Sequence, residues 1–182
     1  MPTPDDFLTT TLKAHPRGGA VTRILSAAIA AVEPGAAVRQ FVQRRGNTLL
    51  IDQHLYILDE IERIAILSVG KAAPAMAHAL AALLPDRPTR GLMAAKHAPA
   101  TAPAGFDVIL SGHPLPDENS LRAGQHALAL AHSLGPRDLL ICLISGGGSA
   151  LLSAPRPPLT LSDLQTLTAA LLASGASIHE IN

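Results

Sequence analysis

Aromatic side chains are almost absent from this sequence: one Tyr, three Phe and no Trp in 182 residues. Any core must therefore be aliphatic, and hydrophobic residues at 48% supply enough Leu, Ile, Val and Ala for one core with an appendage. Charge is scarce as well. Charged residues make up 15% and the formal net charge is zero, which argues against nucleic acid as a partner. The basic pair Arg44-Arg45 reads as solvated surface. Cysteine is limited to Cys142, so no disulfide forms within the chain, and a reduced, cytoplasmic setting is the expectation. Cys142 falls inside an apolar run with nothing nearby to lower its pKa, so it reads as a core residue and not a nucleophile. No apolar stretch approaches the roughly 20 residues of a membrane span. The start, Met1-Pro2-Thr3-Pro4-Asp5-Asp6, lacks the basic and apolar segments of a signal peptide.

Several motifs are missing too. The eight histidines show no zinc-ligand spacing. Gly-x-Gly-x-x-Gly follows none of the predicted strands, which counts against a nicotinamide-dependent reductase. Ser145 and Ser149 do not sit in Gly-x-Ser-x-Gly, the context of a hydrolase nucleophile. Gly70-Lys71-Ala72 lacks the first glycine and the following Ser or Thr of a phosphate-binding Walker A loop.

What is present is regular. Residues 5–32 read as helix in two pieces, split around Pro16–Gly19, and residues 1–22 read as an N-terminal helical extension. In the second piece Val21, Ile24, Leu25, Ala28, Ile29 and Val32 recur at helical spacing. A short helical turn is predicted over 36–42. Thr48–Ile51 and Leu55–Leu58 read as a small β-hairpin. From Ile64 strands and helices alternate, which predicts an α/β fold: a Rossmann-like parallel sheet flanked by helices, in a single domain over 1–182. Strands are expected at 64–69, 91–96, 106–110 and 139–144. Helices are expected at 72–84, at 119–134 with Leu121, Gly124, Leu128 and Ala131 inward, and at 160–172.

The chain is organised around Leu139–Leu152. Leu139–Ile144 is a continuous apolar run, as in a central parallel strand with helices on both faces. Ser145-Gly146-Gly147-Gly148-Ser149 follows directly, and glycines there supply positive φ and bare amides for close approach. With Ser149 as the cap of a following helix, amide donors and a helix start would face one small space, suited to phosphate. The alternative is a flexible turn with no ligand. Lys71 sits at a strand-to-helix turn, where the helix dipole disfavours a cation unless an anion joins it; the alternative is a solvent-exposed turn lysine. His113-Pro114-Leu115-Pro116-Asp117 is a rigid loop after the third strand. Asp117 or Glu118 suits three roles: holding Mg²⁺, accepting a substrate hydroxyl, or capping the next helix. His113 suits a ligand contact or a structural hydrogen bond. Glu180 and Asn182 lie where Ser177–Asn182 reads as the start of a further helix, the expectation being a portion of a longer fold.

Together these segments resemble one family. Ser68-Val69-Gly70-Lys71-Ala72, Gly112-His113-Pro114-Leu115-Pro116-Asp117-Glu118, Cys142 to Leu152 and Ser174 to Asn182 are similar, in order and spacing, to glycerate 2-kinases, which pair an N-terminal α/β domain with a C-terminal MOFRL domain. Some were once named hydroxypyruvate reductases. The resemblance runs from about Arg23 to the last residue. It implies ATP- and Mg²⁺-dependent phosphorylation of D-glycerate at its 2-hydroxyl, with Lys71 in the active site and Ser145–Ser149 on phosphate. It also implies that the C-terminal part of the family fold is missing here. The family usually has Gly-Ala-Gly-Lys where this chain has Ser68-Val69-Gly70-Lys71, and its site is a cleft between two domains. A separate chain carrying the C-terminal part would then complete the cleft. Two alternatives stand beside this reading: an inactive remnant that keeps nucleotide or phosphate binding, and a hydroxypyruvate reductase.

Overall fold

In a computed structural model the structure describes residues 1–181. The chain opens with a 3-10 turn, Pro4–Phe7, then α1 (Thr10–Ala14), α2 (Gly18–Ala31) and α3 (Pro34–Phe41). A boundary at residue 22 falls within α2. Glu33 caps α3, accepting from the N–H groups of Gly35 and Ala36 at 2.7 and 2.5 Å, and Pro34 fits a first turn that has no N–H partner to lose. An antiparallel meander follows: β1 (Val42–Arg45), β2 (Thr48–Ile51) and β3 (His54–Ile57). The expected hairpin thus has a third strand, with Val42 opposite Ile51 and Arg45 opposite Thr48. Two Arg and one Gln hid it, because a strand of one exposed meander needs only a single buried position, Val42.

The larger unit comprises β4 (Ile64–Val69), α4 (Ala73–Ala81), β5 (Thr89–Ala95), β6 (Phe106–Leu110), α5 (Glu118–His132), β7 (Leu139–Ile144), α6 (Gly148–Leu151), α7 (Leu161–Ala173) and α8 (Ile178–Ile181). Its four strands are parallel, in the order β6-β5-β4-β7. The order reverses at β4: β5 and β6 extend to one side of it and β7 to the other. Loops leaving the carboxyl ends of β4 and β7 therefore diverge and open a crevice, the usual place for a ligand in such sheets.

One face of the sheet presents Ile64, Ile66, Ile141 and Leu143 to Met76 and Leu80 of α4, and to Val38, Val42, Leu49 and Leu58 from α3, the meander and the turn after it. The other presents Val69, Leu92, Ala94 and Ile109 to Ala123 and Ala127 of α5 and Leu151 of α6. Arg44, expected as a free surface charge, ties the meander to this unit: it chelates Asp86 and donates to the Leu83 carbonyl at 3.1 Å. Asp86 falls to a pKa of about 2, chiefly because that guanidinium donates to it.

Three expectations need correction. β7 is an edge strand and not a central one, because it pairs only with β4 among the described residues. Ile141 and Leu143 are buried while Ile144 is 71% exposed. Cys142 is consequently exposed rather than core, although its surroundings shield the thiol enough to push its pKa up. In α5 the inward residues are Ser120, Ala123, Gly124 and Ala127; of the four expected, only Gly124 is buried, since small residues let the helix approach the sheet and Leu128 is left outside. In α2 the apolar stripe faces away from the protein: Gly18 and Thr22 are its buried residues, while Val21, Ile24, Leu25 and Ile29 are exposed. Among the described residues no single helix is long and apolar enough to cross a membrane; α2 and α3, bent by 49°, pass that test only as a pair.

Candidate functional site at the sheet's carboxyl edge

The two turns at the switch point are built as one. The Lys71 N–H donates to the Gly146 carbonyl at 3.0 Å and the Ser145 N–H to the Val69 carbonyl at 2.9 Å. Ser145 Oγ accepts from the Ala72 N–H at 3.1 Å and donates to the Val69 carbonyl at 3.3 Å. Gly70 makes the fit possible. Its φ is +116°, and a Cβ there would stand 2.2 Å from Ser145 Oγ and 2.5 Å from the Ser145 carbonyl oxygen. Ser145 is therefore the clasp between the turns, a role its sequence position alone did not reveal.

Gly147, at φ +90°, brings the third element in. A Cβ on it would lie 2.9 Å from the His113 ring and 3.6 Å from Lys71 Cε. Lys71, His113 and the glycine turn thus share one small volume. Gly146 faces open space, with nothing within 4 Å of its missing side chain. The N–H groups of Gly146, Gly147, Gly148 and Ser149 donate to no described residue. Ser149 is not the helix cap: Gly147 holds that position and Ser149 lies in the first turn of the four-residue α6. Its carbonyl accepts from Ser153 Oγ at 2.9 Å, and the Ser153 N–H donates to the Ser120 carbonyl at 3.0 Å, fixing the turn to α5.

Asp117 is engaged at the base of its loop. Its Oδ1 accepts from the Ser120 N–H at 2.8 Å and from Ser120 Oγ at 3.0 Å, capping α5. Burial works to raise its pKa, but N–H donation from Gly112, Ser120 and Asn119 and the Ser120 hydroxyl outweigh it and hold the carboxyl below its usual value. His113 is half-buried. Burial, then the charges of Lys71 and Lys96, pull its pKa below the usual imidazole value, leaving a neutral ring at pH 7. The His113–Pro114 peptide is cis.

Lys96 is the residue that sequence reasoning overlooked, taking it only as the end of a strand. It follows β5 directly, at the carboxyl edge where parallel sheets keep their functional side chains, and that position was the available signal. A cavity of about 310 Å³ lies there, lined by Lys71, Pro74, Ala95, Lys96, His97, Ala98 and Pro99. Neither lysine forms an ion pair with a described residue, whereas Arg39, Arg44, Arg63, Arg87 and Arg137 each hold a carboxylate.

Glu180 is not brought to this volume. It accepts from the N–H and Oγ of Ser177 at 2.8 and 2.9 Å, at the start of α8. Neither α7 nor α8 buries a residue. Asn182 lies outside the described residues.

The arrangement is cationic and rich in free amides, which fits the phosphates of ATP. It does not fit Mg²⁺: no group of three or more His, Cys, Asp or Glu gathers among the described residues, and Asp117 is committed to its cap.

The profile of a family described as a domain of unknown function, DUF4147, matches residues 20–182. The D-glycerate 2-kinase of Thermotoga maritima is 39% identical over 123 residues, covering 67% of this chain and 30% of that protein. The glycerate 2-kinase of Pyrococcus horikoshii is 35% identical over 161 residues, covering 88% and 36%. Among solved structures, a protein from Pyrococcus horikoshii superposes with a TM-score of 0.75 at 34% identity, covering 87% of this chain and 36% of that one. The glycerate kinase of Thermotoga maritima superposes with a TM-score of 0.67 at 34% identity, covering 87% and 35%. The chain spans about a third of the length of the curated relatives it matches. With its switch-point site and a match running from residue 20 to the end, this chain belongs to the DUF4147 family, the N-terminal α/β domain found in glycerate 2-kinases.

Proposed function

We propose that this chain provides the N-terminal half-site of a glycerate 2-kinase, which converts ATP and D-glycerate to ADP and 2-phosphoglycerate with release of a proton. The observation that carries the reading is the convergence of Lys71, His113 and the open glycine turn at the switch point of a sheet shared with glycerate kinases. ATP supplies the phosphoryl group. Phosphoryl transfer asks little covalent chemistry of a protein; positioning and charge neutralisation do most of it. The free N–H groups of Gly146–Ser149 are placed to donate to anionic oxygens. Lys71 adds a positive charge beside them, and Ser145 keeps both turns at fixed separation. His113, neutral at pH 7, offers a ring nitrogen for hydrogen bonding in the same volume. Asp117 is committed to capping α5 and no cluster of three metal-ligating side chains gathers among the described residues, so the base and the Mg²⁺ ligands belong in this reading to the opposite wall of the cleft. That wall is the remainder of the fold, on this polypeptide or on a separate chain, in the reduced cytoplasm that the lone cysteine fits.

The lack of a three-ligand cluster among the described residues favours a second reading, a phosphate- or nucleotide-binding module without turnover. A coupled assay with D-glycerate, ATP and Mg²⁺, run beside Lys71→Ala and beside calorimetry with ATP, separates the two. The half-site reading expects ATP binding, and turnover once the second wall is supplied, lowered about 100-fold in Lys71→Ala. ATP binding with no turnover even then establishes the module. Loss of ATP binding altogether removes both.

A further inference from the structure

The cavity lined by Lys71 and Lys96 adjoins the glycine turn through Lys71. We propose that this cavity is the carboxylate subsite for the acceptor, a small α-hydroxy acid, with Lys96 as its specificity-determining residue. The proposal rests on the half-site reading and adds to it where the acceptor's own charge is held.

The chemistry of the lining selects an anion. Two ammonium groups and the imidazole of His97 are its polar side chains; Pro74, Ala95, Ala98 and Pro99 are small and apolar, and no carboxylate is present to attract a cation. Five arginines elsewhere find acidic partners, while Lys71 and Lys96 have none among the described residues. Two like charges lining one cavity repel each other until an anion bridges them. At about 310 Å³ the space lies at the low end of small-molecule sites. It suits a three-carbon acid and is too small to bury a whole nucleotide.

Position agrees with chemistry. The cavity opens at the carboxyl ends of β4 and β5, one strand across from the β4–β7 crevice that carries the glycine turn. Lys71 borders both. An α-hydroxy acid carries its hydroxyl on the carbon next to the carboxylate, so an acid held by Lys96 presents that hydroxyl toward Lys71 and the turn. A further polar group stands near the wall without a partner. Ser111 is 6% exposed, its Oγ makes no hydrogen bond, and its N–H donates at 3.0 Å to the carbonyl of Ala95, a wall residue.

The test is calorimetry and backbone-amide NMR on the full chain with three probes, D-glycerate, glycerol and inorganic phosphate, and with ATP measured separately. Lys96→Met is compared with Lys13→Met, a change on α1 remote in sequence from the site. Lys96 is exposed, and an unaltered amide spectrum elsewhere verifies folding. The expected result is D-glycerate binding that shifts the amides of Ala95–Ala98, no binding of glycerol, and an affinity for D-glycerate lowered about tenfold in Lys96→Met, the loss of one charge-assisted contact. ATP affinity stays within about twofold in that variant, and Lys13→Met changes neither. Phosphate that shifts the glycine turn and not Ala95–Ala98 supports two separate subsites. If Lys96→Met weakens ATP or phosphate and spares D-glycerate, the cavity is a phosphate site and the proposal is overturned. ATP binding with no D-glycerate binding overturns the subsite and leaves the half-site reading standing.

Discussion

The sheet core and the peripheral helices α2 and α7 are written in equally aliphatic sequence, yet they end in opposite conditions. Ile66, Leu49 and Leu80 have no exposed surface, whereas Ile24 on α2 is 67% exposed and Leu167 on α7 is 56% exposed. Helical spacing of apolar residues specifies a helix and an apolar side; it does not supply the surface that side packs against. For α4 and α5 the supply is local, because strand-helix alternation delivers a strand to each. For α2 and α7 no such element exists among the described residues. The exposed Ile144 edge of β7 belongs with them, a strand written for two covers and given one.

The largest effects come from testing that contrast by truncation. Leu80→Ala empties a filled position between α4 and the sheet and should cost about 2–5 kcal/mol in chemical denaturation. Leu167→Ala should stay within about 0.5 kcal/mol. Similar losses for the two would show that α7 has a packing partner in solution, and the division between core and periphery would fall.

Within the site a smaller contrast separates two glycines. Gly70→Ala puts a Cβ 2.2 Å from Ser145 Oγ at a φ of +116°, and should destabilise by about 1–3 kcal/mol while pushing the two turns apart. Gly146→Ala meets nothing within 4 Å and should leave stability within about 0.5 kcal/mol, yet lower affinity for ATP by placing a methyl group where the ligand approaches. Thermal unfolding paired with calorimetry distinguishes them. A Gly146→Ala variant that binds ATP normally would remove the glycine turn from the phosphate site.

The same division marks what could be read from the sequence. The four parallel strands were legible because their runs are apolar and their spacing is regular; β6 was predicted at its observed bounds, Phe106–Leu110. The gathering of Lys71, His113 and the glycine turn was legible because carboxyl ends of parallel strands share one edge. Strand order was not. Nothing in Leu139–Ile144 distinguishes an edge strand from a central one, so the sequence pattern reads Cys142 as core. β1 was hidden by Arg44 and Arg45, whose charges suit an exposed meander and, for Arg44, a bond to Asp86 far along the chain. Lys96 was hidden because one lysine at a strand end carries no motif. Its meaning arises only when folding sets it beside Lys71.

His113 gives the finest measure of that pairing. Burial first, then the charges of Lys71 and Lys96, hold its pKa below the usual 6.5. Removing one charge with Lys96→Met should therefore raise the pKa read from the His113 ring by NMR, without restoring it fully, because burial remains the larger cause. Binding an anion between the lysines should raise it in the same direction. The sign for stability follows from proton uptake. As pH falls through 6.5 the unfolded chain takes up its proton before the folded one does, so the folded protein loses stability from there downward, and the loss levels off below the folded-state pKa. In Lys96→Met the loss should be smaller. An unchanged His113 titration in that variant would mean that Lys96 does not reach the volume shared by Lys71 and the ring, and the cluster would reduce to a single cation beside the glycine turn.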